Sequence, residues 1–189
     1  MIECFCCGPY QTNVWMCTEE KTKECLLIDA APGSFDLLSK RLKGWKIHLF
    51  LTHGHWDHIA DVGLFQKQLN AKVYMSSDDK FWLDEKHQIM IIPKSYRFCA
   101  FLPDVNLNGG EHYKLAGKEI EIISVPGHTQ GHIALYCEAD QAVFVGDTLF
   151  KNGVGRTDLP GGNFETLKIS LSKLFALPEN IQGMANVLH

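Results

Sequence analysis

Thr52-His53-Gly54-His55-Trp56-Asp57-His58 places three histidines and one aspartate within a span of six residues, in the pattern H-x-H-x-D-H. Imidazole is a ligand for zinc, iron, nickel and copper, and a carboxylate also suits harder ions. The short apolar run at 47–51 predicts a buried strand that ends at this motif. Open α/β sheets bind their ligands at the carboxyl ends of strands. The stretch therefore predicts a metal site at the edge of a sheet.

Strand and helix patterns alternate along the rest of the chain. Apolar or alternating runs predict strands at 2–7, 14–18, 25–28, 47–51, 72–75, 118–125, 133–137 and 141–145. Helices are expected after Ser34 as N-cap, from near Ile59, at 76–83 and after Asn163. Asp57 is a candidate N-cap of the second helix, a role compatible with metal ligation. The order predicts an α/β (α+β) fold in which two sheets pack face to face with helices outside, while 86–110 is expected to form an irregular connection.

Two more potential ligands follow predicted strands. His128 comes after the strand at 118–125, and Asp147 comes after the strand at 141–145. Gly127 and Gly146 precede them and allow the backbone to approach closely. A single histidine or aspartate in a turn is more often a capping residue. Their shared position at strand ends, together with the motif at 53–58, favours a common metal site.

Length and composition favour one domain over 1–189. The chain has 189 residues, a net charge of −4 and no cluster of lysine and arginine, which argues against nucleic acid as a partner. No apolar run has the length of a membrane span, and the first residues lack the basic region of a signal peptide. The seven cysteines form no C-x-x-C pair. We therefore expect reduced thiols in a cytoplasmic protein; the sequence does not indicate an oligomeric state.

The motifs together resemble the metallo-β-lactamase superfamily. The segments carrying the resemblance are His53-x-His55-x-Asp57-His58, Gly127-His128-Thr129 and Gly146-Asp147. Leu27-Ile28-Asp29, the segment 126–132 and the segment 146–158 resemble the glyoxalase II-like branch, most closely its short single-domain bacterial members. This resemblance, which runs to about Pro178, implies a four-layer αββα sandwich.

The resemblance also implies ligands, cofactor and reaction. His53, His55 and His128 would hold one metal, Asp57 and His58 a second, and Asp147 would bridge them, with Asp57 also taking part in catalysis. The implied cofactor is Zn2+, one or two per chain, with Fe as an alternative. The implied reaction is hydrolysis of a small-molecule thioester such as S-lactoylglutathione by a metal-bound hydroxide. Asp29 is either an acceptor that orients a ligating histidine or a turn residue.

The sequence departs from the family in two ways. The family's last histidine, in a P-G-H-G-like segment, has no counterpart, and His189 lacks the preceding turn, so the C-terminal end is expected to be incomplete. Larger relatives carry a C-terminal helical region that contributes to glutathione binding, and no such region is expected in this chain. Lys151 and Arg156 are either candidates to receive an anionic substrate or solvated surface residues. Phe81, Trp82 and Tyr113 are expected in the core rather than in a cleft. His48, His87, His112 and His132 are not expected to be ligands, and His132 is expected to support the sheet edge.

Two other functions stay open at the level of sequence. The first is a persulfide dioxygenase with one iron on His53, His128 and Asp147, a sister branch that also carries a segment like Gly155-Arg156-Thr157-Asp158. The second is a metal-binding domain without enzymatic activity. Metal content and substrate tests separate the three hypotheses.

Overall fold

The structure is a computed structural model that describes residues 2–84, 87, 98–178 and 181–185. The first sheet has the order β1-β2-β3-β4-β5-β6. Its strands are β1 (Ile2–Cys7), β2 (Thr12–Glu19), β3 (Glu24–Ile28), β4 (Lys46–Phe50), β5 (Lys72–Ser76) and β6 (Val105–Leu107). Strands β3 to β6 are parallel. The carboxyl ends of β3 and β4 therefore lie side by side at one edge.

The second sheet has the order β13-β10-β9-β8-β7. Its strands are β7 (His112–Leu115), β8 (Lys118–Ser124), β9 (Ile133–Cys137), β10 (Ala142–Gly146) and β13 (Gln182–Ala185). Both β8 and β10 are antiparallel to β9, so their carboxyl ends also meet at one edge. A small ribbon of β11 (Leu149–Phe150) and β12 (Gly153–Val154) follows β10.

Four layers enclose three apolar clusters. Between the sheets, Phe50 and Ile28 from the first sheet pack with Leu135 and Phe144 from the second. Helices α1 (Ser34–Leu38) and α3 (Val62–Leu69) cover the outer face of the first sheet. Helix α4 (Phe164–Phe175) packs Leu174 against the outer face of the second sheet. The predicted αββα sandwich is confirmed.

The first two predicted helices differ from the structure. Gly33 is the N-cap of α1 and Ser34 is its first helical residue, so Ser34 as N-cap was wrong. The carboxylate of Asp61 accepts a hydrogen bond from the Phe35 N–H at 2.9 Å and satisfies the donor that a cap would take. The helix ends at Leu38.

The helix predicted from near Ile59 is two helices, α2 (Trp56–Ile59) and α3. The backbone of Ala30 explains the break. Its N–H donates to the His58 carbonyl at 2.7 Å, and its carbonyl accepts from the Asp61 N–H at 3.0 Å. Asp57 lies in the first turn of α2 and His55 is the N-cap residue, so the prediction of Asp57 as a cap was wrong.

The later elements follow the prediction more closely. Asn163 caps α4 by accepting a hydrogen bond from the Thr166 N–H at 2.9 Å, and residues 77–83 form a 3-10 helix (Ser77–Leu83). The sequence did not predict β6, which lies in the expected irregular connection at 86–110. Residues 86 and 88–97 of that connection lie outside the described residues, and so does His189. Among the helices that the structure describes, none is long and apolar enough to cross a membrane.

Candidate metal centre

The motif at 53–58 forms the loop after β4 and the first turn of α2. His53 and His55 lie in the loop, and Asp57 and His58 lie on α2. His128 follows β8, and Asp147 follows β10, as the sequence predicts. The four histidines are buried, with at most 4% of any one exposed. The structure thus brings the six predicted side chains together at the shared edge of the two sheets.

Three imidazole nitrogens converge on one point. The Nδ1 atom of His55 lies 3.1 Å from Nε2 of His53 and 2.8 Å from Nε2 of His128. Nitrogens on a tetrahedral zinc ion, each at about 2.0–2.1 Å, would be roughly 3.3 Å apart. Burial and the neighbouring histidines hold the pKa of His53 and His55 well below its usual range. Neutral imidazoles at this spacing match the donor set of a metal ion.

A second group lies beside the first. Nε2 of His58 is 3.3 Å from Oδ2 of Asp57 and 3.2 Å from Oδ1 of Asp147. The other oxygen of Asp147, Oδ2, is 3.6 Å from Nε2 of His128 in the first group. The two oxygens of Asp147 therefore face the two groups, an arrangement in which one carboxylate can contact both.

The charges of the second group shift its pKa values in opposite directions. Burial lowers the pKa of His58, but the surrounding carboxylates outweigh burial and hold that pKa well above its usual value. Burial raises the pKa of Asp57, but the charge and hydrogen bond of His58 outweigh it and lower the pKa to about 2. Without a metal ion His58 therefore carries a proton that the carboxylates stabilise, and a cation that binds here would replace that proton.

Groups outside the cluster fix the direction of three rings. Nδ1 of His53 lies 3.1 Å from Oγ1 of Thr52. Nδ1 of His58 lies 2.8 Å from Oδ2 of Asp29, and Nδ1 of His128 lies 2.7 Å from the Arg156 carbonyl oxygen. These contacts leave each Nε2 directed into the cluster. Partners of this kind usually orient metal-ligating histidines. The residues present therefore fit a metal ion.

Asp29 takes the orienting role that the sequence left open. Its Oδ1 accepts from the Thr52 N–H at 2.8 Å, and its Oδ2 accepts from the Thr52 hydroxyl and faces His58. Its backbone has φ 62°, a left-handed conformation uncommon for residues other than glycine. The conformation turns this buried carboxylate from the end of β3 toward the end of β4.

Several supporting residues gave no signal in the sequence. The Thr12 hydroxyl donates to Oδ2 of Asp57 at 2.9 Å. His128 is supported by the backbone carbonyl of Arg156, a contact that does not depend on the residue type at position 156 and so leaves no mark in the sequence. The carboxylate of Asp79 contacts both the loop of His55 and the loop of His128. All three contacts join residues that are distant in sequence.

His132 lies beside the cluster and supports it. Its ring stacks on His53 with centroids 4.7 Å apart. Its Nε2 accepts a hydrogen bond from the Asp147 N–H at 3.1 Å. This contact agrees with the expected supporting role at the sheet edge.

An open cleft of 450 Å³ leads to the cluster. Its apolar lining comes from Tyr10, Trp56, Phe150, Val154 and Leu159. Arg156 also lines the cleft, but its guanidinium donates two hydrogen bonds of 2.7 Å to Asp158. Lys151 is exposed and is not part of this lining. The cleft can therefore receive a largely apolar group next to the cluster.

The three aromatic residues expected in the core have different surroundings. Tyr113 packs in the core between the sheets, 5.5 Å from the ring of Phe50. Trp82 is buried with its ring 4.6 Å from that of His55, so it contacts the cluster from outside the cleft. Phe81 is 43% exposed, so the expectation of a core position was wrong for this residue.

A family model agrees with this geometry. The model for the metallo-beta-lactamase superfamily matches residues 7–180. The chain belongs to the metallo-beta-lactamase superfamily. This membership confirms the resemblance seen in the motifs and makes the chain a member of a superfamily of metal-binding metallo-hydrolases.

Relatives within the metallo-beta-lactamase superfamily cover most of the chain. The hydroxyacylglutathione hydrolase GloC of Haemophilus influenzae is 35% identical over 181 residues, which cover 91% of this chain and 83% of the relative. The BLEG-1 B3 metallo-beta-lactamase superposes with a TM-score of 0.88 at 27% identity, covering 100% of this chain and 92% of that structure. TTHA1623, solved in a di-iron-bound form, has a TM-score of 0.85 at 28% identity, covering 99% and 92%.

Proposed function

We propose that this chain is a metal-dependent hydrolase of small-molecule thioesters such as S-lactoylglutathione. One observation carries the proposal: five donor side chains converge beneath an apolar cleft with Asp57 beside His58, and the outward nitrogens of His53, His58 and His128 are held by fixed partners. The similarity to the Haemophilus influenzae hydroxyacylglutathione hydrolase supports the choice of a thioester. Zinc suits the nitrogen-rich first group, and the di-iron form of TTHA1623 supports iron as an alternative metal.

The proposed ligand set follows the two groups. His53, His55 and His128 would hold the first metal ion; Asp57 and His58 would hold the second, and Asp147 would contact both. When bound, such ions polarise a carbonyl group and lower the pKa of water. Two other residues orient these ligands: Asp29 contacts Nδ1 of His58, and the Thr12 hydroxyl donates a hydrogen bond to Asp57.

The chain's own residues place the substrate over the cluster. Asp57 lines the cleft, and the Thr12 hydroxyl fixes its Oδ2, so its carboxylate is placed to accept a hydrogen bond from the attacking water. The water oxygen adds to the thioester carbonyl carbon, and the carbon–sulfur bond then breaks. The products are a carboxylic acid and a thiol, which takes up the proton released by the water.

The experiment is to measure metal content and thiol release from S-lactoylglutathione with the purified chain. We expect one or two zinc ions per chain, hydrolysis that stops on chelation, and recovery when zinc is added back. Folded protein that holds zinc but leaves the thioester intact would contradict the proposed reaction. One iron ion per chain, with oxygen uptake on glutathione persulfide, would favour the dioxygenase hypothesis. Inactivity in both assays would favour the metal-binding domain without enzymatic activity.

The wall of the cleft leads to a prediction about Tyr10. Its ring packs edge-on against Trp56 with centroids 5.6 Å apart, and half of its surface is exposed toward solvent. We expect Tyr10→Ala to lower kcat/KM for a benzoyl thioester of glutathione by about 2- to 13-fold, because a contact between two aromatic groups is worth roughly 0.5–1.5 kcal/mol. The lactoyl thioester should change much less. Tyr10→Phe, which keeps the ring, is the matched control, and an equal loss with both acyl groups would contradict this assignment.

A further inference from the structure

One buried carboxylate joins the two loops that carry the three-histidine group. Asp79 is 1% exposed and lies on the 3-10 helix Ser77–Leu83, which we call the clamp helix. Its Oδ2 accepts from the Gly54 N–H at 2.8 Å and from the Thr129 hydroxyl at 2.7 Å. Its Oδ1 accepts from the Gly131 N–H at 2.6 Å. Gly54 lies between His53 and His55, and Thr129 follows His128.

The clamp helix also holds the ring of His55. The Trp82 ring lies edge-on to the His55 ring, with centroids 4.6 Å apart. A Cβ atom on Gly54 would lie 2.7 Å from Cβ of Trp82, so this approach requires glycine. Likewise, a Cβ atom on Gly131 would lie 2.9 Å from Oδ1 of Asp79. Two glycines therefore let both loops approach the same helix.

The clamp helix itself is attached to the first sheet. The Ser77 N–H donates to Oδ1 of Asn106 on β6 at 2.6 Å, and Oγ of Ser76 accepts from the Asp78 N–H at 3.3 Å. The first loop extends from the first sheet and the second loop from the second sheet. A carboxylate anchored on one sheet and bonded to both loops fixes the distance between them.

We propose that Asp79 is a positioning residue that sets the spacing of His53 and His55 relative to His128 and so determines the metal affinity of this group. The inference rests on the proposed metal site. Asp79 contacts none of the three imidazoles through the hydrogen bonds described, and acts through the backbone of their loops. Partners of ligating residues typically contribute about 10- to 100-fold to metal affinity.

Asp79→Asn tests the inference with almost no change in volume. The amide oxygen can replace Oδ2 toward Gly54 and Thr129, but the NH2 group then faces the Gly131 N–H, donor against donor. We expect the zinc affinity of the folded protein, measured by competition with a chromogenic chelator, to fall about 10- to 100-fold. Asp78→Asn makes the same charge change on an exposed neighbour and should leave the affinity unchanged.

Amide hydrogen exchange of the metal-free protein provides a second measurement. In Asp79→Asn, exchange at Gly131 should become faster while Gly54 stays protected. A residue that only stabilised the fold would lower the unfolding temperature without changing the zinc affinity of folded protein. If Asp79→Asn does not fold, Thr129→Val removes a single hydrogen bond to the same carboxylate and should still weaken zinc binding.

The outcomes separate this inference from the proposed function. The positioning role would be overturned if folded Asp79→Asn kept the zinc affinity of the wild type. If Asp79→Asn does not fold, the same result in folded Thr129→Val would overturn it. A loss of zinc affinity in Asp78→Asn equal to that in Asp79→Asn would also overturn it. A wild-type chain that binds neither zinc nor iron would instead overturn the proposed function. In that case amide exchange at Gly131 still decides whether Asp79 holds the loop after His128. Faster exchange in Asp79→Asn but not in Asp78→Asn supports the hydrogen bond between Asp79 and Gly131, and unchanged exchange in Asp79→Asn overturns it.

Discussion

Replacing His55 by alanine is expected to abolish metal binding at the three-histidine group. Its Nδ1 is the atom that both other nitrogens approach, at 2.8 and 3.1 Å. Structural zinc sites gain about 10–16 kcal/mol from four ligands, so one ligand contributes roughly 3–4 kcal/mol, or about 100- to 1000-fold in affinity. Metal content after dialysis and zinc affinity by chelator competition measure the loss.

Stability measurements separate loss of a ligand from loss of the fold. Nε2 of His55 is buried and has no hydrogen-bond partner among the described residues, so the polar contacts that the metal-free fold loses with this ring are those of Nδ1 with His53 and His128. We expect zinc to raise the unfolding temperature of the wild-type chain but not of His55→Ala, because a ligand stabilises only the state that binds it. His112→Ala, which removes an exposed histidine, is the control. Unchanged metal content in His55→Ala would make the whole assignment of the site wrong.

The positions of the six side chains were predictable because all of them lie in the segments that follow the ends of β4, β8 and β10. Apolar runs show where a strand ends, and the next residues must then lie at the edge of the sheet. His128 and Asp147 were located in this way from their distance to the ends of β8 and β10. Neighbours along the chain carry this information, so no knowledge of the tertiary structure was needed.

Contacts between distant segments were not predictable from sequence patterns. The break between α2 and α3 depends on the backbone of Ala30, which follows a different strand. The cap of α1 is supplied by Asp61 from outside that helix. Thr12 and Asp79 act on the metal centre from other elements in the same way. Each of these residues has an ordinary local context, and its role is defined only by the packed fold.

The turn that carries His128 leads to the largest expected effect on stability. Gly127 has φ +137°, and a Cβ atom there would lie 2.5 Å from both Cα and N of Leu167 on α4. The same turn is bonded to α4, because the Asn163 N–H donates to the Gly127 carbonyl at 2.8 Å and the Ser170 hydroxyl donates to the Pro126 carbonyl at 2.7 Å. The helix therefore packs directly on the backbone that positions a proposed ligand.

Gly127→Ala should lower the free energy of unfolding by about 2–5 kcal/mol. Backbone strain at positive φ contributes roughly 1–2 kcal/mol, and overpacking against α4 adds about 1–3 kcal/mol. Gly110→Ala is the matched control, because Gly110 has φ +90° with no atom within 4 Å of the added Cβ, so only the strain should appear. Denaturant unfolding measures both variants. Equal losses of unfolding free energy in the two variants would show that α4 does not require glycine at position 127. A larger loss in Gly127→Ala, together with weaker zinc binding by the folded protein, would show that the outer helix layer sets the position of His128.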